Sequence, residues 1–178
     1  MIVDADGRVD AARYVVSANC DERPPGEAIT LLVIHSISLP PGEFGGDAIV
    51  RLFTNDLDYT AHPYYQSLAG IKVSAHFLIR RNGELLQFVP CAKRAWHAGV
   101  SCWCGRGNCN DYSIGVELEG ADDVPFADPQ YRVLAELARA LSASYPIADI
   151  VGHCDVAPAR KTDPGPSFDW VRFRASIT

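Results

Sequence analysis

Residues 31–38 read LLVIHSIS. Four consecutive apolar residues, two of them β-branched, give way to a histidine and then to serines. So short and apolar a run reads as a buried strand, with His35 where it turns polar. A second run, YSIGVELEG (112–120), alternates. Ile114, Val116 and Leu118 face one way, and Glu117 and Glu119 face the other. ADIVG (148–152) is a third, short strand that ends at His153. Between the last two lies the clearest helix, DPQYRVLAELARALSASYP (128–146). Asp128 suits its N-cap and Pro129 its first turn. Tyr131, Leu134, Leu137, Ala138 and Leu141 form one stripe at helical spacing.

The rest of the chain fits round these elements. VSAHFLIRRNGELLQFVP (73–90) predicts a hairpin with a tight turn at Asn82-Gly83. It places Val73, Ala75, Phe77 and Ile79 on one face. DAIVRLFTNDL (47–57) reads as a short helix, HPYYQSLAG (62–70) as a helical turn, and PPGEFGG (40–46) as a loop. Residues 1–28 read as an irregular arm. Strands and helices interleave, so the expected fold is mixed α/β, a central mixed sheet flanked by helices. At 178 residues it is expected to be a single domain, 1–178.

Composition narrows the function. The net charge is −6 and no dense Lys/Arg run occurs, which argues against a nucleic-acid partner. The acidic N-terminal stretch MIVDADGRVDAARYVV is no secretory signal, and no run is long enough to span a membrane, so a cytoplasmic protein is expected. Its six cysteines then read as reduced thiols. CWCGRGNC (102–109) lacks the paired spacing of a structural zinc site, and its Gly-Arg-Gly lacks the context of a phosphate loop. With no exposed apolar helix in evidence, a monomer is expected.

VGHCDVAPARKTDPGP (151–166) is too broken by proline for one helix or strand, yet carries His153, Lys161 and Asp163. Two histidines and a carboxylate are a recurrent catalytic zinc set, with water in the fourth position. His35 and His153 at strand ends and Asp163 in a following loop can meet at one sheet edge. Glu117 can then accept a proton, and Lys161 can supply positive charge. Spacing alone leaves Glu119 as a rival to Glu117, because both share a face. His76, in mid-strand, reads as a structural histidine, and His62 as a surface loop residue.

HSISLPPGEFGG, VSAHFLIRRNGELLQFVP, RAWHAGVS, NDYSIGVELEG and GHCDVAPARKTDPGPSFDW occur in this order. Together they resemble the zinc-dependent N-acetylmuramoyl-L-alanine amidases related to phage T7 lysozyme and to peptidoglycan recognition proteins. The branch most similar is the AmpD-type 1,6-anhydro-muropeptide amidases. The resemblance implies one zinc held by His35, His153 and Asp163, water activation by Glu117, and stabilisation of the tetrahedral intermediate by Lys161. It implies cleavage between anhydro-muramic acid and L-alanine in peptidoglycan recycling, with an indirect role in β-lactamase regulation. Ser36, Lys72 and Asn108 are its candidate substrate contacts; in AWHAG (95–99), Trp96 reads as a substrate contact or a core aromatic, and His97 as a substrate contact or the cap of a turn. Ser36 stands where the family usually has asparagine. Lys72 stands where arginine is frequent, and Asn108 where a basic residue is usual. Cys102 and Cys104 replace expected polar residues.

The alternative reading is a binding module, since recognition relatives keep the fold but lose a zinc ligand. The complete ligand set argues against it. A zinc peptidase of other specificity lacks the H-E-x-x-H helix that would support it.

Overall fold

The computed structural model describes residues 1–178. Six strands form the central sheet: β1 (Arg13–Tyr14), β3 (Leu31–Ile37), β4 (Phe77–Ile79), β5 (Leu85–Gln87), β9 (Ser113–Glu119) and β10 (Asp149–Gly152). Four more strands pair outside it: β2 (Cys20–Glu22) with β6 (Lys93–Ala95), and β7 (Cys102–Trp103) with β8 (Arg106–Gly107). The helices are α1 (Ala48–Phe53), α2 (Pro63–Gln66), α3 (Asp128–Ser144), α4 (His153–Val156) and α5 (Trp170–Ile177).

The sheet order is β1-β5-β4-β9-β3-β10, and only β4 and β5 pair antiparallel. The sheet is therefore mixed, with helices on both faces. Ile114, Val116 and Leu118 of β9 join Leu32 and Ile34 of β3 under α3 and α5. The helical stripe of α3 is buried there throughout. On the opposite face Leu78, Leu86 and Phe88 pack against Ile49, Leu52 and Phe53 of α1 and Tyr65 of α2. Alternation along each strand thus sorts the sheet into two hydrophobic layers. No helix is long and apolar enough to cross a membrane.

Several local expectations change. Asp128 is not the cap of α3 but its first residue. Gln130 closes the end instead: its amide oxygen accepts from Ala127 N–H (3.0 Å), and its NH2 donates to Ile79 O and Glu119 O. The Asn82-Gly83 turn is longer than the two-residue form, because Arg80 N–H bonds Glu84 O and leaves three residues in the loop. Val73 and Ala75 do not share a layer with Phe77 and Ile79 but pack with Leu78. The strand starts only at Phe77, since Ser74 N–H is drawn to Trp96 O and His76 N–H to Gly115 O.

The arm of residues 1–28 is not irregular throughout. It adds β1 to the sheet edge, pairs β2 with β6, and sends Arg23 inward. The Arg23 guanidinium donates to the carbonyls of Cys91, Asn110, Asp111 and Ser113 at 2.8–3.2 Å. Burial lowers its pKa to about 10, so it stays charged at neutral pH. His76 sits beside it. Its Nδ1 accepts from Gly115 N–H (3.0 Å), so its proton is on Nε2, facing Lys93 O (3.1 Å).

Arg23→Ala strands several buried carbonyls at once. It is expected to lower unfolding free energy by about 3 kcal/mol, read from the urea midpoint.

Candidate metal centre and active site

Register sets the site. His35 of β3 lies directly opposite Glu117 of β9, and Ile34 opposite Gly152 of β10. Continued by one residue, the second pairing brings His153 beside His35. Alternation then turns all three side chains to the face away from α3. They stand at the C-terminal ends of three adjacent parallel strands, where open α/β sheets bind ligands.

Asp163 arrives on the loop after α4. Cys154 N–H donates to Asp163 O (2.9 Å), and Lys161 N–H to Ala157 O (3.0 Å), so the loop folds back onto its own helix. Gly165 allows the return. Its φ is 82°, and a Cβ there would lie 2.4 Å from Asp122 Cα.

The three side chains converge. His35 Nδ1 and His153 Nδ1 are 2.9 Å apart, and Asp163 Oδ2 lies 3.3 Å and 3.0 Å from them. Ligands about 2.0–2.2 Å from a tetrahedral zinc lie about 3.3 Å from one another. The triangle matches one face of that tetrahedron. His153 Nε2 faces Ala98 O at 3.2 Å, and a carbonyl only accepts. The proton on that side is therefore on Nε2, which leaves Nδ1 as the nitrogen that faces the site. Burial lowers His35 to about 4, so it is neutral at pH 7. Burial alone would raise Asp163, yet the imidazoles of His153 and His35 beside it hold its carboxyl well below the usual range. Two imidazole nitrogens with one carboxylate suit a single zinc ion.

Glu117 Oε1 lies 3.9 Å from His35 Nδ1, while its buried Oε2 has no hydrogen-bond partner. Burial first, then the charge of Asp163, push its carboxyl well above the ordinary range, and Lys161 offsets part of this. Glu119 is spent elsewhere. It accepts from Gly45 N–H (2.7 Å), Arg81 N–H (3.2 Å) and the Arg80 guanidinium (3.2 Å), and so fixes the loop of residues 40–46.

The cavity over the site has a volume of about 380 Å³. Glu117, His153, Lys161, Asp163, Ser36 and Trp96 line it, opposite an apolar wall that includes Leu52, Phe53, Ile71 and Val73. Lys72 and Asn108 do not line it. Both are exposed, and Asn108 is left-handed (φ 56°), with its N–H bonded to Ser101 O (3.0 Å). His62 caps α2 by accepting from Tyr64 N–H (3.1 Å). The apolar wall and the Ala98 carbonyl escape a reading of the sequence, because no motif links segments so far apart.

Comparison with known proteins shows the family and the fold. The profile of the N-acetylmuramoyl-L-alanine amidase family matches residues 25–166. The chain is 56% identical to the 1,6-anhydro-N-acetylmuramyl-L-alanine amidase AmpD of Citrobacter freundii, covering all of this chain and 96% of that protein. The crystal structure of a selenomethionine AmpD derivative superposes with a TM-score of 0.97 at 57% identity, covering the whole of both chains. A complex of the Escherichia coli amidase AmiD with anhydro-N-acetylmuramic acid-L-Ala-D-γ-Glu-L-Lys matches at a TM-score of 0.61 and 30% identity, covering 89% of this chain and 65% of that one.

Asp163→Ala removes the only anionic corner of the triangle. The purified variant is expected to hold well under one zinc per chain after dialysis, against about one for the parent, by elemental mass spectrometry.

Proposed function

Because this chain belongs to the N-acetylmuramoyl-L-alanine amidase family, we propose that it hydrolyses the amide between 1,6-anhydro-N-acetylmuramic acid and L-alanine of muropeptides, a step of peptidoglycan recycling. The observation that carries the reading is the triangle of His35, His153 and Asp163 beside the unpartnered Glu117 carboxyl oxygen. These three residues would hold zinc. When bound, zinc supplies an acidified water and Lewis-acid polarisation of the amide carbonyl.

The protein's own groups do the rest. Glu117 takes the proton of the attacking water and passes it to the departing alanine nitrogen. Its burial suits this, since a carboxylate in a low-dielectric wall has raised proton affinity. Lys161 faces the same cavity, where its charge opposes the negative charge that develops on the carbonyl oxygen. The apolar wall receives the non-polar parts of the sugar and peptide and keeps bulk water from the reacting bond. Of the expected contacts, Ser36, Trp96 and His97 line the cavity. Lys72 and Asn108, outside it, would meet only the far end of the stem peptide. The protein is proposed to act as a monomer.

The test is release of L-alanyl peptide from 1,6-anhydro-N-acetylmuramyl-tripeptide, followed by mass spectrometry with zinc-loaded and chelator-stripped protein. Zinc-dependent release is expected. Stoichiometric binding without release would convert the reading to that of a recognition module. Glu117→Gln is expected to keep zinc but lose about 10²- to 10⁴-fold in kcat, and Lys161→Met about 10²- to 10³-fold.

A further inference from the structure

The two histidines of the metal triangle are oriented by different chemistry. His153 Nε2 meets a backbone carbonyl, which can only accept. His35 Nε2 meets another imidazole, His97 Nδ1, at 2.9 Å. His97 Nε2 in turn meets Ser113 Oγ at 3.1 Å. We propose that His97 is a positioning residue that keeps the His35 Nδ1 lone pair turned into the metal site, with Ser113 as its anchor and Gly115 as the space it occupies. The inference rests on the reading of His35 as a zinc ligand.

Proton counting carries the argument. Between His35 Nε2 and His97 Nδ1 a hydrogen bond needs one proton, held by one ring. If His35 gives its Nδ1 lone pair to the metal, its own proton is on Nε2. His97 Nδ1 must then accept, so the proton of His97 lies on Nε2 and is donated to Ser113 Oγ. The opposite assignment reverses both bonds and puts a proton on His35 Nδ1, inside the triangle with His153 and Asp163. Ser113 Oγ can accept or donate, so it supports either direction. His97 thus ties the tautomer of His35 to its own, which a carbonyl does not do.

The strand has been shaped round this ring. Ser113, Gly115 and Glu117 share one face of β9. A Cβ on Gly115 would lie 2.5 Å from His97 Cγ and Nδ1, which no side-chain shift within a packed wall can relieve. Glycine in the middle of a strand weakens it, and here the ring of His97 fills the gap. The Gly115 backbone is held at both its N–H and C=O by His76. The rings of His35 and His97 meet edge to face, with centroids 5.0 Å apart and planes at 87°. With both nitrogens engaged, His97 lines the cavity without a hydrogen bond to offer the substrate.

Two measurements test this. In the zinc-loaded parent, ¹⁵N–¹H correlation spectra are expected to show His97 and His35 both protonated at Nε2. A proton on His97 Nδ1 would overturn the proposal, with no variant needed. Zinc dissociation constants by chelator competition then separate orientation from folding. His97→Phe fills the same space without an acceptor, and is expected to weaken zinc about 10- to 100-fold. His97→Asn restores an acceptor near the Nδ1 position and is expected to recover most of that loss. Wild-type affinity in His97→Phe, or equal losses in both variants, would defeat the proposal. A parent chain that binds no zinc would defeat both this inference and the ligand assignment beneath it.

Discussion

The parallel pairing of β3 with β9 on one side and β10 on the other is the constraint on which the site depends. Because side chains alternate strictly, a slip of one residue in either pairing would turn Glu117 or His153 into the layer beneath α3. The hydrophobic positions forbid that slip. Leu32, Ile34, Ile114, Val116 and Leu118 all need the same side of the sheet. The core that stabilises the fold therefore also holds His35, Glu117 and His153 at one level. Chemistry and packing share one set of register hydrogen bonds.

Burying such a cluster is costly. Glu117 and Asp163 repel one another in a low-dielectric wall, and a buried carboxyl oxygen without a partner costs on the order of 1–3 kcal/mol. A divalent cation in the triangle removes that repulsion and uses lone pairs that otherwise crowd together at about 3 Å. Neighbouring residues hold the cluster rigid. Ala98 O fixes His153, Cys154 N–H fixes the loop that carries Asp163, and Glu119 ties down the loop of residues 40–46. Arg160 Nη2 donates to the same Ala98 carbonyl (2.7 Å) and to Val100 O (2.9 Å), pinning that carbonyl in place. Only in the assembled fold do Glu117 and Glu119, two residues apart on one face, acquire different surroundings. One faces the cavity, and the other is saturated by three donors.

Elements with a strong periodic signal were legible. The stripe of α3 and the alternation of β9 read directly from spacing, because burial on one face imposes that spacing. Short elements were not. β1, β2, β6, β7 and β8 have two or three residues each, too few for a period to show, and their pairing is decided by partners far along the chain. The C-terminal helix α5 hides for a related reason. Only Phe173 is fully buried within it, so its sequence shows no long apolar stripe. At the start of α3 the nearest acceptor to the sequence eye, Asp128, lost to Gln130. A longer side chain reaches back to Ala127 while also bonding two carbonyls of the sheet.

By itself the sequence determined the fold class, the sheet with helices on its faces, and the residue types able to build a zinc amidase. These follow from hydrophobic period and from a family pattern spread along the chain. Tertiary structure alone decided which polar atoms meet. That His153 presents Nδ1 rather than Nε2, that Glu119 is tied to Gly45, Arg80 and Arg81, and that Gly115 makes room for His97 all depend on segments brought together from distant parts of the chain. Spacing along a strand gives the face a side chain takes, whereas distance and hydrogen-bond partner come only from the neighbouring strands and loops.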